Sequence, residues 1–85
     1  MKITIYTKKD CHLCDEAKKV LSGFVQEYSL SVKEIDIEGD RDAFEKYRYE
    51  IPVVLLNDRK IFKYRIDEKR FHRILRDAAS QPPKA

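Results

Sequence analysis

The spacing of apolar side chains changes abruptly near residue 10, and this change limits the folds open to the chain. Ile3 and Ile5 alternate with polar neighbours, as in a β-strand that buries one face. Beyond this strand the apolar residues recur every third or fourth position, which predicts a helix over about 12–28. The residues on that stripe are Cys14, Ala17, Leu21, Phe24, Val25 and Tyr28. A strand that leads into an amphipathic helix predicts a β-α unit at the start of the chain.

The middle of the chain predicts a second β-α unit. The apolar residues of the second predicted strand are Val32, Ile35 and Ile37. Asp40 follows Gly39 and is a suitable N-cap for a short helix that buries Phe44 and Tyr47. Because a proline at position 52 disfavours helix at the residue before it, this helix should end by about Tyr49.

The last third predicts a hairpin and a final helix. Residues 53–56 form a continuous apolar run, as expected for a strand buried on both faces. Residues 57–59 predict a turn, and residues 60–64 a strand that pairs back. Asp67 is the predicted N-cap of the last helix, which should bury Phe71, Ile74, Leu75, Ala78 and Ala79. The order β-α-β-α-β-β-α predicts an α/β sandwich with a four-stranded mixed sheet and three helices on its two faces.

Composition and length limit the chain to one small domain. Apolar residues form 42% and charged residues 39% of its 85 residues, which excludes global disorder. No apolar run approaches the ~18 residues of a membrane span, and residues 1–10 lack the apolar stretch of a signal peptide. We therefore expect a cytoplasmic monomer with no membrane partner, one domain over residues 1–79, and a flexible tail over residues 80–85.

Two cysteines lie where the first predicted strand gives way to the first helix. Cys11 and Cys14 would close a loop so short that a disulfide there restricts little of the unfolded chain. Amide N–H groups at a helix start favour a thiolate, and Lys8 and a protonated His12 would add positive charge. We predict that Cys11, at the exposed rim, attacks a substrate disulfide and that Cys14, on the buried stripe, resolves the mixed disulfide.

Other interpretations of the cysteines remain open. The pair could form a structural disulfide. Zinc would need Cys11, Cys14, His12 and His72, although the chain has no second Cys-x-x-Cys or His-x-His pair. An iron–sulfur cluster would need ligands from a second chain or a bound thiol. The alternative to a redox enzyme is therefore a metal or cluster carrier, and we expect no bound cofactor or metal.

Charge is distributed unevenly along the chain. Residues 27–58 carry nine acids and four bases, whereas residues 59–76 carry eight bases and two acids. Lys69, Arg73 and Arg76 share one predicted helix face that could meet phosphate or an acidic protein, although a solvated face is the commoner explanation. We expect no nucleic-acid partner, because that face lacks an aromatic side chain on which bases could stack.

Pro52 is the second informative residue. A proline before a strand can simply mark the start of that strand. In the predicted topology, however, the loop that contains it faces the start of the first helix. A cis Ile51–Pro52 bond there would expose the backbone of Ile51 to an extended peptide beside Cys11.

These motifs together resemble the glutaredoxin branch of the thioredoxin superfamily over residues 2–79. The resemblance is carried by Ile51-Pro52-Val53, which is similar to a family segment whose proline is cis, and by Tyr6-Thr7-Lys8-Lys9-Asp10-Cys11-His12-Leu13-Cys14. The Cys-His-Leu-Cys site is similar to that of a less characterised glutaredoxin-like group. The resemblance implies a thioredoxin-like fold and a dithiol thiol–disulfide oxidoreductase that reduces protein or small-molecule disulfides.

The resemblance also implies where a thiol substrate would bind. Lys8 matches a family lysine that binds a carboxylate of glutathione, Arg65 would bind another, and Tyr6 belongs to the same opening. His12 stands where the family usually has proline, and residues 62–65 lack the family's glycine pair that holds glutathione. The expected electron donor is therefore glutathione, another small thiol or a thioredoxin reductase, and the expected substrates are proteins with disulfides.

Overall fold

A computed structural model describes residues 1–80 and contains one four-stranded sheet with helices on both faces. The strands are β1 (Lys2–Thr7), β2 (Ser31–Asp36), β3 (Val53–Leu56) and β4 (Arg59–Lys63). The helices are α1 (His12–Ser22), α2 (Val25–Tyr28), α3 (Arg41–Tyr47) and α4 (Glu68–Ser80), with a 3-10 turn at Ile37–Gly39. The sheet order is β2-β1-β3-β4; β1 and β2 are parallel, and the other two pairs are antiparallel. The predicted α/β fold with a mixed sheet is confirmed.

The sheet separates two clusters of buried side chains. Alternate residues of β3 point to opposite faces, so Val54 and Leu56 join one cluster while Val53 and Leu55 join the other. We call the first the α1/α4 core, and its buried members are Ile3, Ile5, Ala17, Leu21, Leu30, Val54, Leu56, Phe62, Phe71 and Leu75. We call the second the cysteine core, and its buried members are Cys14, Ile37, Ala43, Tyr47, Ile51, Val53 and Leu55.

The predicted helix over 12–28 is wrong in its continuity, because α1 ends at Ser22 and α2 begins at Val25. The N–H groups of Gly23 and Phe24 bond to carbonyls three residues back, at Val20 and Leu21. This tighter hydrogen bonding ends the helix and redirects the chain. As a result the ring of Phe24 lies edge-on to Phe71 of α4, with the ring centroids 5.0 Å apart.

Several predictions of burial are also wrong. Val32 is 42% exposed because β2 is an edge strand. Ile37 is buried, but it lies in the 3-10 turn instead of the predicted strand. In α3 the buried residues are Ala43 and Tyr47, whereas Phe44 is 38% exposed. Ala79 is exposed on α4. These errors share a cause. Each exposed side chain lies on an edge strand, on a short helix or near the end of a helix, and such positions have few neighbours in the core.

The predicted caps are confirmed, and the predicted ends need small corrections. The Asp40 carboxylate accepts a hydrogen bond from the Ala43 N–H, and that of Asp67 accepts one from the Arg70 N–H, each at 3.1 Å. The hairpin strand runs over Arg59–Lys63 instead of 60–64, and Ser80, assigned to the tail, is the last residue of α4. The remainder of the predicted tail, 81–85, lies outside the described residues.

Five non-glycine residues among 1–80 adopt a positive φ: Asp10, Ser29, Asn57, Asp58 and Tyr64. Asn57 and Asp58 form the tight turn of the β3–β4 hairpin, where aspartate and asparagine tolerate this conformation. Tyr64 is the exception, since a bulky aromatic residue is rarely left-handed.

Within residues 1–80, no helix has both the length and the apolar character that crossing a lipid bilayer would require.

Candidate active site

Cys11 is the N-cap of α1, and the local backbone explains its position. β1 ends at Thr7, and Asp10 then adopts φ 55° and turns the chain. Cys11 itself is extended, with φ −104° and ψ 106°, and its Sγ accepts a hydrogen bond from the Cys14 N–H at 3.2 Å. The sulfur therefore lies against the free amide groups at the start of a helix, where negative charge is stabilised.

The two cysteines are joined by a disulfide, and their Cα atoms are 5.2 Å apart. Their environments differ. Cys14 is 1% exposed, whereas Cys11 is partly exposed. A large substrate can therefore reach Cys11 more easily than Cys14.

Cys14 belongs to the cysteine core, and Cys11 packs at the edge of it. The same cluster contains Ile51, which is 9% exposed, and the Ile51–Pro52 peptide bond is cis, as predicted. The loop before β3 and the start of α1 therefore meet in one place. The structure brings together four of the residues selected from the sequence: Cys11, Cys14, Ile51 and Pro52.

Tyr6 also joins this group, because its ring packs at the edge of the cysteine core. Its centroid is 4.5 Å from that of Tyr47. Burial, with a smaller contribution from Tyr47, raises the pKa of the Tyr6 phenol above its ordinary value. The Tyr6 phenol is therefore uncharged at physiological pH, and its ring forms one side of the site.

Lys8 and His12 lie on the exposed side of the site. Lys8 is exposed in the turn before Cys11. The His12 Nε2 atom is 3.4 Å from the Glu16 Oε1 atom, one helical turn further on. The His12 side chain thus points along α1 toward the Glu16 carboxylate.

Arg65 lies beside the active-site helix across a small depression of about 80 Å³. The depression is lined by Leu13, Glu16, Ala17, Val20, Tyr64, Arg65 and Ile66. Leu13 is the residue directly before Cys14, so this surface adjoins the cysteines. Tyr64 was not selected from the sequence, because its position at this depression depends on the left-handed turn after β4.

The four side chains considered for zinc are not brought together in the structure. The His72 Nε2 atom is 3.6 Å from the Glu27 Oε1 atom, and the His72 ring packs on Phe24 and Tyr28. These contacts lie beyond the last residue of α1, at the opposite end of that helix from Cys11 and Cys14. Across residues 1–80, no three side chains of metal-binding type are grouped closely enough to hold an ion.

Comparison with known proteins gives consistent results. Residues 2–76 match the model of the glutaredoxin-like domain family (DUF836). The glutaredoxin-like protein YDR286C homolog of Dictyostelium discoideum is 33% identical over 76 residues, which cover 82% of this chain and 70% of that protein. The crystal structure of the X. campestris protein XcR50 has a TM-score of 0.70 and 26% identity, and the match covers 88% of this chain and 96% of that one.

NrdH-redoxin of Escherichia coli, a glutaredoxin-like protein, shares the fold at a TM-score of 0.59. The two sequences are 24% identical, and the match covers 99% of this chain and all of that one. Proteins of the thioredoxin and glutaredoxin families are generally oxidoreductases, and this chain carries their Cys-x-x-Cys spacing at Cys11 and Cys14. Because the family model matches residues 2–76, the chain belongs to the glutaredoxin-like domain family.

Proposed function

We propose that the protein is a thiol–disulfide oxidoreductase that reduces disulfides of protein or small-molecule substrates. The observation that carries the proposal is the asymmetry of one cysteine pair at a helix start. Cys11 is partly exposed and accepts a hydrogen bond from the Cys14 N–H, while Cys14 is 1% exposed. A thiolate at such a position is both stabilised and accessible.

The proposed reaction is two successive thiol–disulfide exchanges. The Cys11 thiolate attacks one sulfur of the substrate disulfide, forming a mixed disulfide and releasing the other substrate sulfur as a thiolate. Cys14 then loses its proton and attacks the Cys11 sulfur, which forms the Cys11–Cys14 disulfide and releases the second substrate thiolate. The substrate gains two electrons, and the protein loses them. The proton released by Cys14 and one proton from water convert the two substrate thiolates to thiols.

The neighbouring residues have proposed supporting roles. Lys8 adds positive charge on the exposed side of the site, and a protonated His12 would add more. Pro52 presents the backbone of Ile51 to an extended substrate. Tyr6, Lys8 and Arg65 line the approach for a thiol substrate, and Arg65 is exposed beside the depression at Leu13.

The oxidised protein must be reduced again by a two-electron donor. We propose glutathione, another small thiol or a thioredoxin reductase in this role, in the cytoplasm, with the protein acting as a monomer. The reduction potential of the protein helps to choose between these donors. It is measured by equilibrating the protein with glutathione and with dithiothreitol and then counting the free thiols. A potential of about −200 to −230 mV favours a glutaredoxin role, and one of about −270 mV favours a thioredoxin role.

Cysteine variants test the proposal directly. Cys11→Ser should reduce the rate of insulin-disulfide reduction to that of the thiol donor alone. Cys14→Ser should leave the first exchange intact and accumulate a mixed disulfide that mass spectrometry detects. Far-ultraviolet circular dichroism of both variants checks that they fold. A Cys11→Ser variant that is as active as wild type would contradict the proposed nucleophile.

Selective alkylation provides an independent measurement on the unmodified sequence. In the reduced protein, iodoacetamide should modify Cys11 well before Cys14, because only Cys11 is partly exposed. Peptide mapping after brief treatment measures the order. Equal labelling of both cysteines in the folded protein would contradict the division of roles.

A further inference from the structure

We propose that Tyr64 is a specificity-determining residue of this site, whose ring contacts a large apolar or aromatic side chain next to the disulfide of a polypeptide substrate. This inference rests on the proposed thiol–disulfide reaction and names the class of substrate. Four observations support it: the left-handed backbone of Tyr64, the exposure of its side chain, its hydrogen bonds to the loop that carries Ile51, and the size of the depression beside it.

The backbone of Tyr64 is in a conformation that tyrosine disfavours. Its φ is 68°, in the left-handed region where the Cβ atom crowds the backbone. Its N–H donates to the Pro52 carbonyl at 2.9 Å and to the Glu50 carbonyl at 3.3 Å, and these bonds hold the turn. Glycine would satisfy the same backbone without crowding. The side chain is therefore not what the turn requires.

The ring of Tyr64 is also little used in folding. Tyr64 is 46% exposed and belongs to neither the α1/α4 core nor the cysteine core. The Lys63 Nζ atom lies over the ring, 5.6 Å from its centroid. Exposed aromatic surface held on a fixed backbone is well suited to binding, since little conformational entropy is lost on contact.

The hydrogen bonds of Tyr64 place its backbone beside the loop that carries Ile51. Glu50 and Pro52, which accept from the Tyr64 N–H, stand on either side of Ile51. Ile51 is packed with Cys14 in the cysteine core. On its other side Tyr64 shares the small depression with Leu13, the residue directly before Cys14. A substrate sulfur at Cys11 would bring its neighbouring residues across this surface.

The depression determines which kind of group fits there. At about 80 Å³ it is much smaller than the roughly 300–1,000 Å³ of sites that enclose small molecules. It can take the end of one side chain from a polypeptide that lies over the surface. Four of its lining residues are apolar: Leu13, Ala17, Val20 and Ile66. An apolar side chain is therefore the complementary group, and the Tyr64 ring extends the apolar surface outward.

Two synthetic peptides test the proposal. Each contains one intramolecular disulfide, and they differ only in the residue next to one cysteine, which is phenylalanine or serine. Wild type should reduce the phenylalanine peptide with a kcat/KM roughly two- to tenfold higher, the range expected for one aromatic pair. Tyr64→Gly should remove this preference, and Tyr64→Phe, which keeps the ring, should retain it. Tyr64→Gly should lose more activity toward the phenylalanine peptide than toward hydroxyethyl disulfide, which has no peptide flank.

Ser29→Gly is the matched control. Ser29 is also left-handed, with φ 52°, but it caps α2, beyond the end of α1 remote from the cysteines. This variant should keep the wild-type preference for the phenylalanine peptide. Because glycine accepts a positive φ, both glycine variants should remain folded, which thermal unfolding checks.

The outcomes separate this inference from the proposed function. If wild type reduces none of the three disulfides, the oxidoreductase proposal fails and the role of Tyr64 fails with it. If wild type reduces disulfides but does not distinguish the two peptides, only the role of Tyr64 is overturned. The same holds if Tyr64→Gly keeps the full preference for phenylalanine.

Discussion

The two faces of the sheet are built for different tasks. The α1/α4 core has ten buried members, and its aromatic rings interlock: Phe71 lies edge-on to both Phe24 and Phe62. The cysteine core has seven buried members, and one of them is Cys14. Helix α1 contributes to both, because Cys14 faces one core while Ala17 and Leu21 face the other. The larger core stabilises the fold, and the smaller one positions the site.

The largest expected effect comes from truncating the α1/α4 core. Phe71 is 0% exposed, so Phe71→Ala should lower the free energy of unfolding by about 3–5 kcal/mol through lost burial and a cavity. Denaturant unfolding measures the loss. Phe44→Ala on α3 is the matched control, and it should cost much less because Phe44 is 38% exposed. Equal losses in the two variants would contradict the ranking of the two faces.

An intermediate effect compares the two helix caps. Asp67→Ala removes the cap of α4, and Asp40→Ala removes the cap of α3; each should cost about 1 kcal/mol of stability. Only the Asp40 variant should also speed alkylation of Cys14 in the reduced protein, because Ala43 and Tyr47 of α3 pack in the cysteine core. The same alkylation rate in both variants would show that α3 does not protect the site.

The smallest effect concerns pH and the loop before β3. The Glu50 Oε1 and Lys60 Nζ atoms are 3.0 Å apart, and this hydrogen bond lowers the pKa of Glu50 below its ordinary value of 4.5. A lowered pKa in the folded state contributes stability above the ordinary value, which is lost as pH falls through the lowered one. Lys60→Met should therefore weaken the fall in stability on acidification, measured by denaturant unfolding at several pH values.

A double variant completes this last experiment. Glu50→Gln should remove the same part of the pH dependence, and adding Lys60→Met to it should change nothing further. An additional change in the double variant would show that Lys60 acts through another carboxylate. Because the pair joins β4 to the loop that carries Ile51, these variants probe the attachment of the cysteine core to the sheet.

Sequence patterns predicted the parts of the molecule that depend on local chemistry. The cysteine pair at the strand–helix junction, the caps at Asp40 and Asp67 and the buried run of β3 follow from spacing and capping preferences that act over a few residues. The break between α1 and α2 was not predicted, because Phe24 continues the apolar stripe of α1. The chain turns there to pack Phe24 on α4, a contact between residues far apart in sequence.

The candidate site shows the same division. Cys11, Cys14 and Pro52 were selected from their residue types and order alone. Tyr64 was not, because its left-handed backbone depends on carbonyls of Glu50 and Pro52 that lie more than ten positions earlier. Phe44 was predicted to be buried from its position beside Tyr47, yet α3 has fewer than two full turns and buries only Ala43 and Tyr47.

The left-handed residues have a consequence for the unfolded chain. The protein has two glycines, and neither adopts a positive φ, whereas five other residues among 1–80 do. The left-handed conformation strains the folded backbone, most at Tyr64 and least at the asparagine and the two aspartates. Each of these residues also denies the unfolded chain the extra freedom that glycine would give it, so less entropy is lost on folding. The strain in the folded state is therefore partly offset by a smaller loss of conformational entropy on folding. This contribution comes from the unfolded chain, so it is not visible in the contacts of the folded structure.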